Sequence, residues 1–224
     1  MGRDILIQSG AGAVHAWRAD PPDKAAALGG LVVLQEIFGV NAHIRSVAES
    51  YAAAGHVVVA PALFDPVERN VELGYDEAGV ARGRQLVADL GSERAVEITR
   101  ASAGLLHAEG LKVAVVGFCW GGSMALLANL RLGLPAVSYY GARSRPFLGE
   151  PLRAPMLFHF GADDDSTPPE YIQAHRDAWP RAEIHVYPGA GHAFNRDVDP
   201  RHFSAGSATL ARKRTLAFLQ AALH

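Results

Sequence analysis

Residues 117–121 read Gly-Phe-Cys-Trp-Gly, between an apolar run, Lys112-Val-Ala-Val-Val116, and a helix-forming segment from Gly122 to Arg131. The pattern is a G-x-S-x-G turn with cysteine in the serine position. Such a turn is too tight for side chains at the flanking glycines, and it holds its central residue in strained backbone geometry. The central side chain is thereby exposed at a strand C-terminus and a helix N-terminus, where unpaired backbone N–H groups favour negative charge. Cys119 is also the only cysteine of the chain. A glycine-flanked cysteine alone also occurs in ordinary turns; the strand before it and the helix after it make this one a candidate nucleophile.

Working outward, short β-branched runs alternate with helical patterns. The expected strands are Ile5–Gln8, Val14–Arg18, Gly30–Gln35, Val57–Ala60, Val113–Val116, Ala136–Tyr140, Met156–Phe160 and Ile184–Tyr187. The expected helices are Ala42–Ala54, Asp76–Leu90, Glu93–Ala108, Gly122–Arg131, Pro168–Trp179 and Gly206–Ala222. The first two runs flank a glycine-rich turn and read as an antiparallel hairpin. The later ones are unbroken apolar segments, as in strands buried on both faces by helices. The alternation predicts an α/β fold, a mostly parallel sheet of about eight strands with helices on both faces. With the elbow, the class narrows to the α/β-hydrolase fold.

Composition bounds the function. A chain of 224 residues buries roughly 70% of its unfolded surface in one core, and no linker-like stretch or repeat divides it, so a single domain over 1–224 is expected. The charge is −2 with acids and bases interspersed, which argues against nucleic acid or an anionic membrane as partner. No run approaches the roughly 18 apolar residues of a membrane span, and the N-terminal residues lack a signal-peptide pattern. A lone cysteine forms no internal disulfide, and C-x-x-C is absent, so a reducing cytoplasm is the expected setting.

In such sheets function collects at the C-terminal strand ends. Three segments follow strands there: Gln35-Glu-Ile-Phe-Gly-Val-Asn41, Gly161-Ala-Asp-Asp-Asp-Ser-Thr-Pro168 and Gly189-Ala-Gly-His-Ala-Phe-Asn-Arg196. Nucleophile, acid and histidine then follow in the order of α/β-hydrolase triads. A thiol needs a base, and the base needs a third group to orient it. His192 is the best-placed base of ten histidines. His43, His107, His175, His202 and His224 read as surface residues, and His15, His56, His159 and His185 as strand packing. The acid is one of Asp163, Asp164 and Asp165, with another free to cap the helix opened by Pro168-Pro169. The triplet lacks the glycine and distant glutamate of a calcium loop, so no metal is expected.

Gln35-Glu-Ile-Phe-Gly-Val-Asn41, Gly117-Phe-Cys-Trp-Gly-Gly122, Tyr139-Tyr-Gly141 and Ala190-Gly-His-Ala-Phe194 together resemble the dienelactone hydrolase family (carboxymethylenebutenolidases), from about Ile5 to Phe218. The resemblance implies a cofactor-independent hydrolase that opens the lactone of dienelactones to maleylacetate in the degradation of chlorinated aromatics. It carries the nucleophile, acid and base onto Cys119, Asp164 and His192. Asp164 is preferred because Gly161, Asp164 and Pro168 match the family spacing. The resemblance also implies that Glu36 restrains ionisation of the resting cysteine and takes the thiol proton once substrate binds. Read without it, Glu36 simply ends a strand. The implied oxyanion donors are the backbone N–H groups of Ile37 and Trp120.

Recognition of a substrate carboxylate is assigned in the family to two arginines. Arg196 matches one. The pattern around the other is missing from Glu72-Leu-Gly-Tyr-Asp-Glu-Ala-Gly-Val-Ala-Arg-Gly-Arg84, where Arg82 or Arg84 substitutes or is merely solvated. Tyr139 matches a pocket tyrosine, though it also reads as core. The partner expected is therefore a small lactone or ester, with a general carboxylesterase or thioesterase, or a ligand-binding or redox-sensing protein on the same scaffold, as alternatives. The number of copies in solution is not readable from the residues.

Overall fold

A computed structural model describes residues 2–223. The eight-stranded sheet and six α-helices confirm the α/β-hydrolase class. The chain packs as two compact units, and the division falls inside a strand, between Val115 and Val116, rather than in a linker.

The first unit holds β1 (Arg3–Ser9), β2 (Gly12–Ala19), β3 (Gly30–Leu34), α1 (Ala42–Ala53), β4 (Val57–Pro61), α2 (Glu77–Leu90) and α3 (Ser92–Ala108). Its strands lie in the order β1-β2-β4-β3. The β1–β2 hairpin and the β2–β4 pair are antiparallel, and β3 runs parallel to β4. β3 and β4 are buried at every residue, which explains their unbroken Val and Leu runs. Asn41 caps α1 through Ile44 N–H, and Asp76 caps α2 through Gly79 N–H. Asp76 therefore precedes its helix rather than opening it.

Past the dividing strand β5 (Val113–Phe118) come α4 (Trp120–Leu132), β6 (Ala136–Tyr139), β7 (Met156–Gly161), α5 (Pro169–Ala178), β8 (Glu183–Tyr187) and α6 (Ala205–Leu223). The strand order is β5-β6-β7-β8, with β6–β7 and β7–β8 parallel. A buried polar chain ties three of these strands to α6. Tyr187 Oη lies 2.8 Å from His159 Nδ1, His159 Nε2 lies 2.9 Å from Thr215 Oγ1, and that hydroxyl lies 2.7 Å from Tyr139 Oη. The side-chain polar atoms of these four residues are thus all paired, as a dry interior requires.

The expected elements all form, with ends moved by at most two residues. Two histidines read as surface residues are buried instead. His43 packs inside α1, and His175 sits among Phe158, Phe160, Tyr171 and Trp179. His224 lies outside the described residues.

Candidate active site

The elbow comes first because its geometry fixes everything around it. Cys119 sits between β5 and α4 at φ 53°, ψ −118°, a region that L-residues rarely occupy. A Cβ on Gly117 would lie 1.9 Å from the Gly121 carbonyl oxygen, so the turn closes only with glycine there. Tyr139 C=O accepts the Cys119 N–H at 3.0 Å, anchoring the elbow to the end of β6.

His192 arrives on the loop after β8, and Asp164 on the loop after β7. The two loops are stitched together: Ala162 N–H donates to Tyr187 C=O and Asp163 N–H to Ala190 C=O, each at 2.9 Å. His192 Nδ1 lies 2.8 Å from Asp164 Oδ2, and Nε2 lies 3.2 Å from Cys119 Sγ. Asp164 Oδ1 also accepts the Ser166 N–H at 2.8 Å. Asp164 is buried, whereas Asp163 and Asp165 are exposed. Of the acidic triplet, Asp164 is the residue bonded to the His192 ring.

Burial pushes the Asp164 carboxyl up, but the hydrogen bond and charge of His192 and the Ser166 N–H outweigh it and hold it below its ordinary value. Burial pulls His192 down. The Cys119 sulfur and the Asp164 carboxylate prevail and raise it to about 10. The arrangement favours an imidazolium facing sulfur. Ala193, directly after His192, has φ 62°, and Tyr140, with its ring 5.2 Å from the His192 ring, has φ 42°. Three of the four non-glycine positive-φ residues among those described thus belong to this site, where strain of order 1–3 kcal/mol each is held by the surroundings.

Other expected residues fall elsewhere. Tyr139 is buried, stacked on Phe118 at 4.7 Å and bonded through its hydroxyl to Thr215. As the last residue of β6 it points into the core, and Tyr140 is the tyrosine whose ring meets His192. Arg82 is an exposed residue of α2 paired with Glu68, and Arg84 is exposed too. The helix is not shifted to bury either. Arg196 is buried, and its Nη1 donates to Asp199 Oδ2 at 3.2 Å. Asp199 also accepts from Arg201 Nε at 3.1 Å and lies 2.8 Å from His202 Nδ1. In the first unit, Glu36 and Ile37 follow β3 and are buried.

A cysteine elbow joined through histidine to a buried aspartate, on this sheet, is the architecture of an α/β hydrolase. The model of the dienelactone hydrolase family matches residues 14–223, and the chain belongs to that family. It is an enzyme of ester and lactone hydrolysis. It is 33% identical over 214 residues to the "Putative carboxymethylenebutenolidase" of Escherichia coli (strain K12), covering 86% of this chain and 77% of the relative. It is 30% identical over 231 residues to "Carboxymethylenebutenolidase 1" of Cupriavidus pinatubonensis, covering 97% and 95%. The crystal structure of a "Putative Dienelactone Hydrolase" from Klebsiella pneumoniae superposes with a TM-score of 0.85 at 28% identity, covering 98% of each chain.

Proposed function

We propose that this enzyme opens a small lactone or ester bearing a carboxylate, in the manner of carboxymethylenebutenolidases, with Cys119 as nucleophile, His192 as acid and base, and Asp164 orienting His192. The observation that carries this reading is the placement of His192 within hydrogen-bonding distance of both Asp164 and the Cys119 sulfur. The Cys119 thiolate attacks the acyl carbon, the S–C bond forms and the carbonyl π pair moves onto oxygen. Backbone N–H groups of Ile37 and Trp120 stabilise that oxyanion. The C–O bond then breaks as His192 gives its proton to the departing oxygen. Neutral His192 next takes a proton from water as the water attacks the thioester. The C–S bond breaks and the thiolate–imidazolium pair is restored. Glu36 governs when Cys119 ionises: it accepts the thiol proton as substrate enters and returns it to the sulfur as product leaves. A reducing compartment such as the cytoplasm keeps the sulfur available.

Rapid-quench mass spectrometry with an activated ester tests the nucleophile. The acyl group is expected on the peptide carrying Cys119, and turnover is expected to vanish in Cys119→Ala. A label found only elsewhere, or an active Cys119→Ala variant, overturns the assignment of Cys119 as nucleophile.

A second reading, a general esterase for neutral substrates, is favoured by the Arg196–Asp199 ion pair and the solvent-facing Arg82. An arginine already neutralised by a buried carboxylate attracts another one less. The two readings separate in Arg196→Ala. Loss of a charge-assisted contact of about 1.5–3 kcal/mol raises KM for carboxylated lactones roughly 10–100-fold and leaves short neutral nitrophenyl esters unchanged. Equal effects on both substrate types make Arg196 structural, and no effect on either favours the neutral substrate.

A further inference from the structure

One buried polar side chain beside Ile37, the proposed oxyanion donor, has no role in the mechanism above. Gln35 follows β3 directly and is fully buried. Its Oε1 accepts the Leu63 N–H at 3.0 Å, and its Nε2 donates to the carbonyl oxygen of Glu36 at 3.2 Å. The first bond ties the side chain to the backbone that follows β4. The second grips one particular peptide group, the one joining Glu36 to Ile37. That peptide is planar and trans, so its C=O and N–H point in opposite directions. Fixing the Glu36 carbonyl therefore fixes the direction of the Ile37 N–H.

The following peptide is pressed from another side. α2 lies against Ile37 at Gly83, where a Cβ would come within 2.2 Å of the Ile37 carbonyl oxygen and 3.0 Å of the Ile37 Cβ. Only glycine allows this approach. Residue 37 is thus held by a hydrogen bond on its N-terminal side and by steric contact on its C-terminal side, and both holding groups are buried. An oxyanion donor needs such restraint, because its contribution depends on aim settled before the charge develops.

We infer that Gln35 is a positioning residue that aims the Ile37 N–H at the developing oxyanion, with Gly83 as its steric counterpart. The inference rests on the reading in which Ile37 supplies one oxyanion donor. Its signature differs from that of general structural damage. A thiocarbonyl sulfur is larger than oxygen and a weak hydrogen-bond acceptor, so a thionoester depends less on the donors than the matching ester does.

The test measures kcat and KM for one ester and its thionoester in wild type, Gln35→Met, Gln35→Glu, Gly83→Ala and Gly104→Ala. Gly104 is the control, an exposed helical glycine with open space where a Cβ would go. Gln35→Met and Gly83→Ala are expected to lower kcat for the ester roughly 10–100-fold at little change in KM, scaled from the roughly 10²–10³ seen when a whole donor is removed. The thionoester should lose much less, and Gly104→Ala should behave as wild type. In Gln35→Glu an ionised carboxylate cannot donate, so the ester-to-thionoester ratio should recover as the pH is lowered and the carboxyl gains its proton. That variant and Gly83→Ala decide the matter if Gln35→Met does not fold. Equal losses for ester and thionoester, or an unchanged ratio throughout, overturn the role of Gln35. A wild type that never acylates Cys119 overturns instead the mechanism beneath it.

Discussion

Two aspartate–histidine pairs in this chain have the same geometry and different consequences. In the second unit Asp164 Oδ2 lies 2.8 Å from His192 Nδ1; in the first, Asp65 Oδ2 lies 2.8 Å from His15 Nδ1. Both carboxylates are buried, and both imidazoles reach toward solvent. What separates them is what lies beyond the ring. His192 Nε2 meets the Cys119 sulfur, held out by a strained elbow, whereas His15 lies on β2 beside a cavity of about 340 Å³ whose lining includes no cysteine, serine or threonine. A carboxylate–imidazole dyad is therefore a common way to hold a histidine. It becomes catalytic only where the fold delivers a third group to the free nitrogen.

The largest way to break this comparison is to remove each imidazole. His192→Ala should lower ester kcat roughly 10⁴–10⁶-fold, as in other hydrolases stripped of their base. His15→Ala should leave kcat within about twofold and lower Tm instead. A comparable kinetic loss at His15 would mean that the first dyad takes part in turnover.

Removing the carboxylates should give smaller effects of the same kind. Asp164→Asn is expected to reduce kcat roughly 10²-fold or more by releasing the tautomer and orientation of His192. Asp163→Asn and Asp165→Asn, both exposed, should change little. Asp65→Asn should again move stability rather than rate, since Asp65 accepts both the N–H and the ring of His15. Parity across the acidic triplet would show that burial did not single out Asp164.

The smallest effect sharpens the comparison through pH. The proton affinity of His192 is raised above its ordinary 6.5, so its contribution to stability is whole below that pH and is withdrawn as the pH climbs toward about 10. His159 has the opposite sign. Burial first, then the nearby His185 and Arg214 charges, pull it well below its ordinary value, so acidification below 6.5 favours the unfolded chain. Following the ring protons by NMR should find His192 charged at pH 7.5 in wild type and titrating lower in Cys119→Ser. An unchanged midpoint in Cys119→Ser would show that sulfur does not hold that proton.

The same contrast explains what was readable from the residues. The elbow, the two loops and all the strands were legible because local rules write them: flanking glycines, apolar runs, and the order of acid and base. Tyr139 stayed open between pocket and core because β6 is buried on both faces and gives no alternation to read. Only the turn to positive φ at Tyr140 decides which ring faces His192. His15 read as packing because its partner lies fifty residues on, and no local pattern announces such a pair. His175 read as surface because a single polar residue on a helix says nothing of the aromatic rings that other elements bring to it. Gln35 was legible only as the opening residue of a motif, since the peptide it grips becomes important only when the chain is folded.

The uncommon backbone angles at Cys119, Tyr140 and Ala193 bear on how this enzyme responds to selection for heat resistance. Glycine at 193 would relieve local strain, so a screen that scores only thermal survival gravitates there, whereas glycine at 140 would empty the space of a fully buried tyrosine and be rejected. The relief at 193 comes with a looser hinge beside His192 and with greater freedom in the unfolded chain. Variants gathered in such a screen should trade turnover for endurance at this position, and gain without that trade on the exposed faces of α2 and α3.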